Sequence, residues 1–254
     1  MPMKSADLER VRALPPFNTV SESVFRDVTA GAFLQKFPAG TTLLNEGDPV
    51  DFLYVLLDGS VELTASGNDR DTTLAVLQPV STFILAAVVL DADALMGART
   101  IDRSDILMLS GEALRRAMGE APALAVAVAQ ELAGCYRGMV RSLKNQKLRG
   151  GVERLANYLL TEQVRHNGAE TFSLPHEKRI VASLLGMTPE NLSRAFLTLA
   201  DYGVTVHGPQ VTLGRPVVLN RLAKPDPLID NHTPPAAGLS STAQRERWPL
   251  RSTH

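Results

Sequence analysis

The segment Leu184-Leu185-Gly186-Met187-Thr188-Pro189-Glu190-Asn191-Leu192-Ser193-Arg194 leaves the backbone few choices. The apolar run Ile180, Val181, Leu184, Leu185 has helical spacing and stops at Gly186, the residue type that accepts positive φ beyond a helix C-terminus. Thr188 can cap the next helix, and Pro189 falls at its first position, where a missing N–H costs nothing. Leu192, Phe196 and Leu199 then recur at helical spacing and predict a buried stripe. Two helices joined by so short a turn form a helix-turn-helix, in which the N-terminal residues of the second helix face the major groove. Glu190, Ser193, Arg194 and Thr198 fall off the stripe. Arginine can bond guanine O6 and N7 together, glutamate can accept from cytosine N4, and serine can serve several bases. Thr188 and Asn191 on the same turn, with Lys178 and Arg179 on the preceding helix, complete the candidate DNA-contacting set. The alternative for this segment is a solvated helix face whose charges only confer solubility.

Charge distribution favours the first reading. The chain carries 26 Lys and Arg against 27 Asp and Glu, so its net charge of −1 decides nothing. Divided after Cys135, however, it has 10 basic and 18 acidic residues on one side and 16 basic and 9 acidic on the other. That asymmetry is expected where one domain binds a polyanion and the other does not. The densest basic run, Arg137, Arg141, Lys144, Lys147, Arg149 and Arg154, precedes the helix-turn-helix and is a candidate for phosphate contact.

Other classes find little support. No apolar run reaches membrane-spanning length, and the longest, Phe83 to Leu90, is strand-sized. The first ten residues have no apolar signal core, so a soluble, cytoplasmic protein is expected. A single cysteine, Cys135, gives no disulfide framework and no cysteine-ligated cluster within one chain. The sequence has no His/Cys/Asp/Glu cluster at metal spacing, no Gly-x-Ser-x-Gly and no glycine-rich phosphate loop, so an enzyme is not expected.

Residues 33–109 alternate short apolar runs with turn residues. Phe52–Leu57 is followed by Asp58-Gly59, which predicts a two-residue hairpin before Val61-Glu-Leu-Thr. Further strands are expected at Thr72–Leu77, Phe83–Leu85 and Ala98–Leu109. Many short strands at even spacing indicate a β-roll or jelly roll. From Leu124 the apolar positions Leu124, Val128, Leu132, Cys135, Met139 and Leu143 are mostly three and four apart, a coiled-coil seam that predicts a parallel dimer helix. Cys135 on that seam reads as a small buried hydrophobe. Gly150-Gly151 is a natural hinge, Phe172-Ser-Leu-Pro a short strand, and residues 203–213 a hairpin with Gly208-Pro209 at its tip, a wing. The Pro-, Ser- and Thr-rich end predicts disorder.

In combination these residues resemble the Crp/Fnr family of bacterial transcription regulators over about residues 16–222. Gly40, Glu46-Gly47-Asp48, Asp51, Tyr54 and Asp58-Gly59 are similar to the start of that family's cyclic-nucleotide-type β-roll. Glu153-Arg-Leu-Ala156 and Glu190-x-x-Ser193-Arg194 resemble the Fnr branch. Residues 79–90, 132–148 and 187–194 look closest to the FtrB subgroup of activators. The resemblance implies an α+β fold divided into an N-terminal segment (1–15), a degenerate sensor β-roll (16–118), a dimerisation helix (119–149), a winged helix-turn-helix (150–222) and a disordered tail (223–254). It also implies a homodimer on double-stranded DNA, with half-sites like TTGAT and RNA polymerase as a partner.

The departures bear on the sensor. The family's cyclic-AMP cassette needs a Gly-Glu pair and, later, Arg followed by Ser or Thr; the glutamate holds the ribose and the arginine the phosphate. By the sequence match, Leu85-Ala86 replace the first pair and Met96-Gly97 the second, while Arg99 is displaced three residues onto a strand. Burying a phosphate against an apolar wall without its cation is unfavourable by several kcal/mol. The sequence therefore argues against cyclic AMP and predicts an apolar pocket lined by Phe83, Ile84, Leu85, Val88 and Leu95, with Arg99 at its edge. The Fnr-type iron–sulfur cluster needs four cysteines and the chain has one, so such a cluster is not expected. A family haem sensor would want a histidine in the β-roll, and His166, His176, His207, His232 and His254 all lie in the C-terminal half. The effector stays open: a haem or small apolar ligand is one alternative, and a dimerisation module without DNA binding is another.

Overall fold

The computed structural model describes residues 5–67 and 70–230. Two short helices, α1 (Ser5–Arg12) and α2 (Glu22–Thr29), lead into strands β1 (Phe33–Phe37), β2 (Thr42–Leu44), β3 (Phe52–Asp58), β4 (Val61–Gly67), β5 (Arg70–Leu77) and β6 (Ser81–Phe83). Helix α3 (Leu85–Leu90) precedes β7 (Gly97–Thr100) and β8 (Ser104–Ser110), and α4 (Gly111–Glu120) abuts the long α5 (Pro122–Leu148). Then come α6 (Gly151–Arg165), β9 (Thr171–Ser173), α7 (Lys178–Leu184), α8 (Pro189–Ala200), the hairpin β10 (Val204–His207) and β11 (Gln210–Leu213), α9 (Pro216–Ala223) and α10 (Pro227–Asp230).

The N-terminal strands form two four-stranded sheets, ordered β1-β8-β3-β6 and β2-β7-β4-β5. Their inner faces enclose an apolar core that includes Leu53, Val55, Leu57, Val61, Leu107 and Leu109, all buried. β3 and β4 lie in different sheets, so Asp58-Gly59 is a corner and not the expected hairpin. The glycine is required there by its φ of +88° and by the backbone crossing it. An added Cβ would lie 2.5 Å from the Arg103 carbonyl oxygen. The true hairpin is β4–β5, paired from Val61↔Leu77 to Gly67↔Arg70 with a register shift between Leu63 and Thr64.

The chain also leaves the strand expected at Phe83–Leu85 after Phe83, the end of β6. It turns at Ile84, whose φ of +66° is rare for a β-branched residue, and continues as α3. Alanines at 86 and 87 favour the helix.

A second core joins α6, α7, α8, α9 and the three-stranded sheet β10-β11-β9 through Leu155, Leu159, Val181, Leu192, Leu199 and Val211. The β10–β11 hairpin pairs Val204↔Leu213 through His207↔Gln210, a wing. The chain does not leave this fold at residue 222. Ile229 on α10 is buried, and Asp230 accepts from both terminal nitrogens of Arg149 at 2.6 Å, tying the segment back to the end of α5. The part of the expected tail beyond residue 230 lies outside the described residues.

The seam read along α5 divides in two. Leu124 and Val128 are buried in the core of their own β-roll, and Leu132 packs against it. A helix that both roofs a domain and projects beyond it uses one apolar stripe for the first task. Farther along, Tyr136, Met139, Val140 and Leu143 are exposed, Met139 at 69 %. Cys135 is exposed too and stands beside this stripe.

Candidate nucleic-acid interface

The turn between α7 and α8 follows from local chemistry. Gly186 takes φ +61° after α7, and the Met187 N–H bonds the Ala182 carbonyl, closing the helix end. Thr188 Oγ1 then accepts from the Asn191 N–H at 3.2 Å, and Pro189 opens α8. Leu192, Ala195 and Leu199 form the buried stripe; Phe196, expected within it, is only half-buried, with the Lys178 ammonium 5.8 Å from its ring centre. Ala195, three residues after Leu192, takes the buried position instead.

Glu190, Ser193 and Arg194 are exposed together on the opposite face. Ser193 Oγ donates to the Pro189 carbonyl at 2.9 Å, which fixes its rotamer and leaves its lone pairs outward. Glu190 is fully exposed. Its own backbone N–H, then the Thr188 hydroxyl and the Arg194 charge one turn on, hold its carboxyl below the usual range. At neutral pH it is therefore an acceptor only. The face offers an anionic acceptor, a hydroxyl and a five-donor cation within one and a half turns, a set suited to base edges.

The flanking candidates divide. Lys178 and Arg179 at the start of α7 are exposed. Arg179, Thr188 and Asn191 also line a cleft of about 880 Å³ between this helix pair and the outer face of the β2-β7-β4-β5 sheet. The two bodies touch where the Thr73 N–H of β5 donates to Ser183 Oγ of α7 at 2.6 Å.

Two members of the basic run are committed elsewhere. The Arg149 side chain is 6 % exposed and held by Asp230, which raises its pKa further. Arg154 donates from Nε to the Leu185 carbonyl at 2.8 Å and from Nη1 to the Arg149 carbonyl at 2.7 Å, so it fastens α5 and α7 to α6. Neither is positioned to meet phosphate; burial and carbonyl ends that need donors explain both. The Gly150-Gly151 break is likewise the N-terminus of α6, where Glu153 Oε2 accepts from the Gly150 N–H at 3.0 Å.

In the β-roll, Phe83, Ile84, Leu85 and Val88 are core side chains, with Phe83 stacked on Tyr54 at 5.1 Å between ring centres. Leu95 is not among them: it is 82 % exposed, in the link from α3 to β7. Alternation along β7 turns Ala98 inward and Arg99 outward, onto the cleft side of the sheet. There Arg99 pairs with the buried Glu62 at 3.0 Å, and the Thr73 hydroxyl also donates to Glu62. The sheet thus separates Arg99 from the apolar interior.

Comparison with known proteins agrees with this architecture. Residues 34–121 match the cyclic nucleotide-binding domain model, and residues 153–222 match the Crp-like helix-turn-helix domain model, together more than half of the chain. The chain belongs to the Crp/Fnr family of transcription regulators. Its members are regulators and not enzymes. The chain is 24 % identical over 216 residues to a CRP-like cAMP-activated global transcriptional regulator of Mycobacterium tuberculosis, covering 82 % of this chain and 96 % of that protein. The global nitrogen regulator of Nostoc is 24 % identical over 211 residues, covering 78 % and 94 %. The fold is similar to that of FixK2 from Bradyrhizobium japonicum, with a TM-score of 0.65 at 22 % identity over 75 % of this chain and 96 % of that one. Among the described residues no helix is long and apolar enough to cross a membrane, and no group of His, Cys, Asp and Glu is placed to hold a metal.

The sequence reading missed Leu197, a leucine 75 % exposed on α8 beside Glu190, Ser193 and Arg194. Helical phase alone would have found it, because it falls outside the buried stripe.

Proposed function

We propose that this Crp/Fnr regulator is a cytoplasmic homodimer that reads an inverted-repeat operator with α8. The observation that carries the reading is the joint exposure of Glu190, Ser193 and Arg194 on a helix whose first turn is capped and whose other face is buried. Arg194 bonds guanine, Glu190 accepts from a cytosine amino group on the opposite strand, and Ser193 contacts a neighbouring thymine. The Glu-x-x-Ser-Arg spacing supports an Fnr-type helix and TTGAT-like half-sites, within the FtrB-like subgroup.

Dimerisation uses the exposed stripe Tyr136, Met139, Val140 and Leu143, whose spacing of three and four suits a two-stranded coil. That pairing sets the two α8 helices about 34–36 Å apart on one face of the duplex. RNA polymerase is the expected partner at the promoter.

The sensor does not take cyclic AMP. Leu85 and Val88 fill the interior where the cassette would open, and the Glu62–Arg99 pair sits across the sheet from it. An apolar ligand that displaces these side chains, haem included, is the form of effector this interior admits. Selection of the full-length protein on a random DNA pool tests the reading: an inverted repeat with guanine in each half-site is expected, and recovery of no repeat overturns it.

A further inference from the structure

Leu197 is exposed where the rest of α8 gives no reason for a leucine. Leu192, Ala195 and Leu199 supply the packing at 4 % exposure or less, whereas Leu197 is 75 % exposed. At 3.6 residues per turn it lies about 20° around the axis from Glu190, about 40° from Ser193 and about 60° from Arg194. It stands about 6 Å beyond Ser193 along the helix. Leu197 therefore occupies the middle of that face, one turn farther along the helix.

A leucine neither donates nor accepts. On the floor of the major groove its one complement is the C5-methyl group of thymine, the only apolar group a base edge presents there. Its neighbours Glu190, Ser193 and Arg194 are polar and bring it within reach of such an edge. We propose that Leu197 is a specificity-determining residue that packs against a thymine methyl adjoining the bases read by those three. This inference rests on the DNA-reading role assigned to α8, and it adds a base contact made by shape and dispersion instead of hydrogen bonds.

Deoxyuridine in place of thymidine removes that methyl and nothing else. With the full-length protein and its selected operator, one symmetry-related pair of thymines should respond. Wild type should lose about fourfold per half-site, the equivalent of one buried methylene-sized group, and roughly tenfold or more when both are replaced. Leu197→Ala should bind the thymine operator more weakly than wild type and show no further loss on the uracil operator. Because the side chain is exposed, the variant should melt at the wild-type temperature. Equal thymine-to-uracil losses in both proteins, or no loss at any thymine, would overturn the proposal. Those results alongside a guanine preference abolished by Arg194→Ala sink only the Leu197 contact. Failure to select any inverted repeat removes the reading of α8 and this inference with it.

Discussion

Replacing Asp230 by asparagine should destabilise the protein by about 3 kcal/mol, although the residue lies past the end expected for the DNA-binding domain. Arg149 is nearly sealed, its side chain 6 % exposed, and the two 2.6 Å bonds to Asp230 form a bidentate pair. Breaking a buried pair from one side costs about 3–5 kcal/mol, because the remaining charge stays desolvated. Two observations place this case at the lower end. Arg149 keeps the Asn145 Oδ1 at 3.1 Å and the Lys224 carbonyl at 3.4 Å, and Asp230 is itself 20 % exposed. Urea denaturation followed by circular dichroism gives the loss. Arg149→Met combined with Asp230→Leu should recover most of it, since two apolar groups leave no charge buried. A single variant within about 0.5 kcal/mol of wild type, or a double variant no better than the single, would refute the reasoning.

Met139→Asp or Leu143→Asp should convert the proposed dimer to monomer at micromolar concentration in light scattering, because symmetry would bury two unpaired charges. Both side chains are exposed within one chain, so the monomer should keep its helical circular-dichroism signal, unlike a change at the core residue Leu124. Calorimetric titration with cyclic AMP should give no heat of binding, and micromolar binding would contradict the filled interior. His176 is half-buried near Glu162, Asp102, Arg165 and Glu62, and burial, the largest influence, lowers its pKa from 6.5. Its neutral form is therefore favoured in the folded state. The stability it contributes is complete above pH 6.5 and lost as pH falls through the lower folded pKa. His176→Asn should flatten the acid side of a urea-midpoint profile, and an unchanged slope would remove histidine from the account.

Much of the α8 site was legible because its determinants are local. Gly186, Thr188 and Pro189 fix a turn within four residues, and helical phase then decides which side chains face out. The sheet was legible as strands but not as pairings. Asp58-Gly59 has hairpin chemistry, yet the contact that demands glycine comes from Arg103, 44 residues away. Phe83–Leu90 is apolar in every register, so periodicity could not tell strand from helix, and the turn at Ile84 is imposed by the surrounding core. The α5 stripe could be read but not apportioned, because the point where the β-roll ends beneath it is a property of the fold. Arg149 and Arg154 looked like free charge because Asp230 and the carbonyl ends of α5 and α7 meet them only in three dimensions.

The reading of DNA by α8 is tested most directly by measuring Arg194→Ala and wild type against operators carrying each base at the half-site guanine. Wild type should favour guanine by about 1–3 kcal/mol per half-site, and the variant should bind all four bases alike while melting as wild type does. An Arg194→Ala protein that keeps the wild-type preference at that position would contradict the assignment of α8 as the reading helix.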